Sequence, residues 1–125
     1  MSSFSWNDYL ELARELSTGS LSGQFPEARF RSAISRAYYS QFINARGIFG
    51  YPYQGHGELI KTLETHPDNR ILLLGNDMKT LMELRHKADY EENINDPIGD
   101  SELAILIAED IAVRLSILGP IYQNK

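Results

Sequence analysis

Arg85 and Asp89 stand one helical turn apart in the stretch MKTLMELRHKADY, residues 78–90. Helical spacing puts both inside the apolar arc of Met78, Leu81, Met82, Leu84 and Ala88. A charge in such surroundings costs several kcal/mol unless it is paired and hydrogen-bonded. The pair therefore reads either as a structural ion pair that fixes helix packing or as a polar pocket at one end of a helical assembly. Base before acid is the weaker order on an isolated helix, so helix stability alone is a poor reason for it. His56, in Gly55-His56-Gly57-Glu58, is a candidate general base, because an ordinary imidazole titrates near neutrality. The plain alternative is a solvated residue at a helix start.

A second group lies between Ala28 and Gly57, a span with no acidic residue. Arg29, Ser32, Arg36, Tyr39, Ser40 and Ile43 fall on one helical face, opposite Phe30, Ile34, Ala37, Tyr38, Ala45, Ile48 and Phe49. Arginine with tyrosine and serine suits contact with phosphate and stacking on bases. It equally suits a plain surface or a protein interface anchored by Arg and Tyr. His86 and Tyr90 share a face but lack a metal-ligand spacing, and no metal or cofactor is expected. No phosphate loop, GxSxG or HExxH motif occurs.

The elements that must carry these residues are helical. Trp6, Tyr9, Leu10, Ala13 and Leu16 repeat at helical spacing, predicting a helix over about residues 5–17. Pro26 opens a long helix that Gly50 stops after Phe49. Tyr51–Gly55 is turn-rich. A short helix holds Leu59, Ile60 and Leu63 and breaks at Pro67-Asp68. Ile71–Leu74 reads as an apolar turn interrupted by Gly75-Asn76, followed by a helix from about Asp77 to Glu92. After a loop, Asp100 or Ser101 caps a last helix that ends before Gly119-Pro120. No strand pattern is present. The expectation is an all-α, up-and-down antiparallel bundle of four to five helices, one domain over residues 1–125.

The chain has 125 residues, Lys+Arg 12 against Asp+Glu 17 and a net charge of −5. With Cys 0, a disulfide scaffold, a thiol nucleophile and a cysteine-based metal site are excluded. The N-terminus lacks a signal-peptide pattern. The longest apolar run, Leu103–Ala108, is far short of the roughly 20 residues that span a bilayer. A cytoplasmic location without membrane contact is the expectation. The acidic balance argues against non-specific nucleic-acid binding by the whole molecule, not against a local basic face. From Ala88 to Asp110 there is no base at all, so the basic and acidic regions could pair with each other. The last helix is apolar on almost every side, so its second side is expected to be covered by another subunit in a homodimer.

Two segments together resemble the HEPN domain family. The first is RSAISRAYYSQF, residues 31–42, followed by His56-Gly57; the second is LMELRHKADY, residues 81–90. The resemblance covers about residues 28–118. It implies an up-and-down helical bundle that commonly dimerises. Many members are metal-independent endoribonucleases acting as toxins or defence effectors, and stand-alone prokaryotic ones often accompany a minimal nucleotidyltransferase. Catalytic members carry Arg, a few residues, then His, often with Tyr following. Two such motifs meet at the dimer interface and cleave RNA through its own 2′-hydroxyl. Here Arg85 matches the family Arg, but Tyr90 stands where the His is expected and His86 points away from it.

The resemblance leaves two expectations. In one, Arg85 and Arg36 neutralise a scissile RNA phosphate, His56 moves the proton and Asp89 orients Arg85 or the 2′-hydroxyl. Tyr39, Tyr90, Arg29 and His86 would then contribute binding. In the other, the module is non-catalytic: it dimerises and binds a nucleotide or a partner such as a nucleotidyltransferase. A weaker carry-over makes Tyr90 the acceptor of a nucleotidyl group.

Overall fold

The computed structural model describes residues 4–18, 25–50 and 55–123. Among them five helices and no strand occur: α1 (Asn7–Thr18), α2 (Pro26–Phe49), α3 (His56–Glu64), α4 (Asn69–Tyr90) and α5 (Pro97–Gln123). The all-α bundle expected from the periodicity is what the chain forms. Helix α2 is the spine and packs against all four others. Its buried residues Ala33, Ile34, Ala37, Tyr38, Phe42 and Ala45 meet Leu10 and Ala13 of α1, Leu59 and Leu63 of α3, Leu74, Met78 and Leu81 of α4 and Ala104, Ala108 and Ile111 of α5. Alanine at so many of these positions lets the helix backbones approach closely.

The bounds of α2 are those read from Pro26 and Gly50. Pro26 occupies the first turn, where its missing N–H is no loss, and Phe25 before it adopts a left-handed backbone. At the other end the Gly50 amide donates to the Arg46 carbonyl.

Two breaks expected in the sequence do not occur. Helix α4 runs unbroken from Asn69 through Gly75, with Asp68 as its N-cap accepting from the Arg70 amide at 3.0 Å. Gly75 does not end a helix; it lets α4 lie against α3. A Cβ placed there would sit 2.8 Å from both the Glu64 amide nitrogen and the Leu63 Cβ. Likewise α5 continues past Gly119-Pro120 to Gln123. Pro120 lies one turn from the end and has no N–H to give to the carbonyl of Ser116, a residue that is exposed. The start of α5 also differs. Asp96 accepts from the Gly99 amide at 3.0 Å and Pro97 opens the helix, while Ser101 is buried and bonds Ser17 and the Ile98 carbonyl.

Within the single chain α5 is not buried all round. Leu103, Leu106, Val113, Ile117 and Ile121 are exposed and form one stripe along the helix. Among the described residues no helix is long and apolar enough to cross a membrane, and no group of His, Cys, Asp or Glu could hold a metal ion.

Candidate functional site

The α2 face that turns toward α3 and α4 carries Ser35, Tyr38, Tyr39 and Phe42, a spacing that returns to the same side of a helix. The last two turns of α4 bring Arg85 and Asp89 against it. The Arg85 Nε donates to Asp89 Oδ2 at 2.9 Å, and its Nη2 donates to the Tyr39 hydroxyl at 2.7 Å. The guanidinium carbon lies 5.1 Å from the Tyr39 ring centre, 5.5 Å from that of Tyr90 and 5.8 Å from that of Tyr38. Its side chain is only 12% exposed, against 27% for Asp89. Ser35 supports Asp89 with a long contact of 3.5 Å. The ion pair foreseen from spacing is thus present, among aromatic rings and with a tyrosine hydroxyl as a second acceptor.

Two of the three guanidinium nitrogens donate to a partner, and one does not. Nη1 of Arg85 has no acceptor among the described residues, and it is not among the sealed unpaired donors. Arg85 lines a cleft of about 570 Å³ together with His56, Met82, Glu83, His86, Lys87 and Glu91.

His56, the first residue of α3, reaches the same cleft. Its ring stacks on Phe42 with centres 4.3 Å apart, and its Nδ1 lies 2.6 Å from the Tyr38 hydroxyl. Burial, then the positive charges of Arg85 and Arg46, hold its pKa below the ordinary histidine value. Burial likewise pushes the Tyr38 hydroxyl well above the usual tyrosine range. Tyr38 is therefore a proton donor at any ordinary pH, and Nδ1 is the one acceptor it meets. A neutral His56 then carries its own proton on Nε2. The cleft is faced by a histidine that offers an N–H.

The remaining candidates divide cleanly. His86 is exposed on α4, its ring 4.9 Å from that of Tyr90, and it lines the cleft. Tyr90 is 66% exposed at the mouth. Arg36 and Arg29 do not join the site. Arg36 lies over the Tyr9 ring at 5.4 Å, and Arg29 donates to the Leu16 carbonyl at 3.4 Å, both against α1. The expected acid-free Arg face is thus divided: α1 meets Arg29 and Arg36, Ser40 is fully buried, Tyr39 turns to Arg85, and Ser32 stays exposed. The arginines of this region do not pair with the acidic side chains of residues 88–110 as expected. Instead Arg31, the first residue of the RSAISRAYYSQF segment, donates to the carbonyls of Ala88, Glu91 and Glu92, closing the C-terminal end of α4. A cation there also meets the negative end of the helix dipole. Tyr38, Phe42 and Ser35 were equally hidden, since at the sequence level they read as core or filler. The signal that marks them is their common face with Tyr39.

In comparisons with known proteins, the chain matches no family model, no curated protein and no solved structure. Fold and site therefore define a class only: a five-helix bundle with an arginine-centred polar cleft.

Proposed function

We propose that the chain is a HEPN-type module that acts on RNA in the cytoplasm as a homodimer, with the Arg85 cleft holding a phosphate of the bound strand. The observation that carries this reading is a cleft-lining guanidinium whose Nε and Nη2 already donate to Asp89 and Tyr39 while Nη1 meets no acceptor among the described residues. A pre-oriented guanidinium loses little freedom on taking a phosphate oxygen. The Nε2 proton of His56 adds a neutral donor on the same cleft. Lys87 and the rings of His86 and Tyr90 lie beside it for backbone and base contacts. The exposed stripe of Leu103, Leu106, Val113 and Ile117 on α5 is the surface proposed for the twofold contact.

A second reading, a metal-independent endoribonuclease of toxin or defence type, is favoured by one observation: His56 is kept neutral beside Arg85. In that reading the 2′-hydroxyl proton passes to Nε2 as the oxygen attacks phosphorus, the P–O5′ bond breaks to leave a 2′,3′-cyclic phosphate, and the departing 5′-oxygen takes a proton from water. This needs the tautomer in which Nδ1–H faces the Tyr38 oxygen, the opposite of the resting one. Binding is therefore the better supported reading, and a nucleotidyltransferase-type partner belongs with it.

Labelled single-stranded RNA in EDTA tests both readings, with anisotropy for binding and a denaturing gel for cleavage. The proposal expects salt-sensitive binding, intact RNA, and affinity about tenfold weaker for Arg85→Gln. Cleavage by the wild type but not by Arg85→Gln or His56→Ala moves the assignment to the nuclease. No binding and no cleavage overturns both.

A further inference from the structure

The exposed stripe on α5 has a spacing of its own. Leu103, Leu106, Val113, Ile117 and Ile121 are exposed, and exposed Asp110 fills the place between Leu106 and Val113. Residues 103, 106, 110, 113 and 117 follow alternating steps of three and four. That is the a/d repeat of a two-helix seam, which packs at a shallow crossing of about 20°. From Leu103 to Ile121 the seam runs for about 27 Å.

A carboxylate in the middle of an apolar seam needs a cation once the seam is covered. Helix α5 carries one at the seam's edge. Arg114 Nη2 lies 2.9 Å from Asp110 Oδ2 and also donates to Asp77 of α4. Arg114 Nη1 meets no acceptor among the described residues, and unlike Nε it is not sealed from solvent. Asp110 Oδ1 meets no donor among them, and that side chain is 66% exposed. An open acceptor in the seam and an open donor at its edge complement each other. A second copy of this chain carries both.

The charges also decide direction. In a parallel pair an a position faces the same a position, so Asp110 would meet Asp110 of the partner subunit in a desolvated seam. In an antiparallel pair a positions face d positions. The register that covers the whole stripe sets Leu106 against the partner's Ile117 and Asp110 against the partner's Val113. The partner's Arg114 then stands one residue further along. Twofold symmetry repeats each contact.

We infer that two copies of the chain pair antiparallel along α5, with Asp110 of each held by the partner's Arg114. This rests on the homodimer of the reading above and goes beyond it in one respect. The stripe turns away from α2, and α3, which carries His56, does not touch α5. The two Arg85 clefts therefore lie away from the twofold and stay separate, in contrast to the meeting of motifs that the resemblance implies.

The chain has Cys 0, so introduced cysteines report on single contacts. Sedimentation equilibrium of the full chain is expected to give a dimer. On mild oxidation the double variant Leu106→Cys/Ile117→Cys is expected to form a disulfide-linked dimer, while neither single variant does. The two positions are about 16 Å apart on one helix, too far for a disulfide within one chain. His86→Cys, in the cleft, is expected to stay unlinked. Asp110→Arg sets a cation against the partner's Arg114 and is expected to weaken self-association by about tenfold. A dimer whose double variant stays unlinked overturns the inference. Linkage of either single variant or of His86→Cys does so too, as does an Asp110→Arg protein that associates like the wild type. A monomeric wild type overturns both this inference and the homodimer it rests on. RNA takes no part in the experiment, so the fate of the RNA reading is scored separately.

Discussion

The Tyr38 hydroxyl lies 2.6 Å from Nδ1 of His56, and this contact decides what the histidine offers to the cleft. The tyrosine is fully buried and stays protonated, so it donates and the imidazole accepts. The bond favours the neutral imidazole. Tyr38→Phe removes it, and the His56 pKa is expected to rise toward its ordinary value. Following the His56 ring protons by NMR across pH measures this directly; a pKa that stays put or falls would show that the hydroxyl is not the donor.

The same histidine makes stability depend on pH. Its folded pKa is lowered, first by burial and then by Arg85 and Arg46. As pH falls through about 6.5, the unfolded chain takes up a proton that the folded chain refuses. Stability is therefore complete above that value and declines below it, until the folded pKa is reached. Urea melts at a series of pH values should show this decline in the wild type and a smaller one in His56→Gln. Equal slopes in the two proteins would contradict it.

Gly75 separates packing from helix propensity. Alanine suits a helix better by up to about 1 kcal/mol. Here its Cβ would meet α3 backbone at 2.8 Å, and such overpacking costs about 1–3 kcal/mol. Gly75→Ala is expected to lower stability by about 1–2 kcal/mol in denaturant melts. A stabilised variant would mean that α3 and α4 are farther apart than described.

Arg31 is expected to hold the end of the helix that presents Asp89. Its bonds to the Ala88, Glu91 and Glu92 carbonyls are charge-assisted. Arg31→Met keeps much of the stem and should cost about 2 kcal/mol. Amide exchange should quicken at Glu91, whose N–H bonds the Lys87 carbonyl. Unchanged exchange at Glu91 would show that the end of α4 is held by other means.

The fold was largely legible because helix periodicity and the Pro26 and Gly50 signals are local. Gly75 and Pro120 misled for the opposite reason. A local breaker is tolerated when something distant favours the helix: close approach to Leu63 and Glu64 for one, a nearly finished helix for the other. The Arg85–Asp89 pair was legible because two charges in an apolar arc need a partner. A place beside His56 came only from the family resemblance; spacing alone does not show which helix start meets the end of α4. Arg36 and Arg29 were misplaced, because a helical wheel shows which residues share a face and not which helix will cover it. The partners of Arg31 were not legible because they are backbone carbonyls, which no side-chain pattern announces.

The central claim is that Arg85 is the arginine that meets RNA phosphate. With arginine side chains isotopically labelled, NMR can follow each guanidinium as single-stranded RNA is added. The account predicts that Arg85 signals shift saturably while those of Arg29 and Arg36, both covered by α1, stay in place. Shifts at Arg29 and Arg36 with Arg85 unmoved would contradict it.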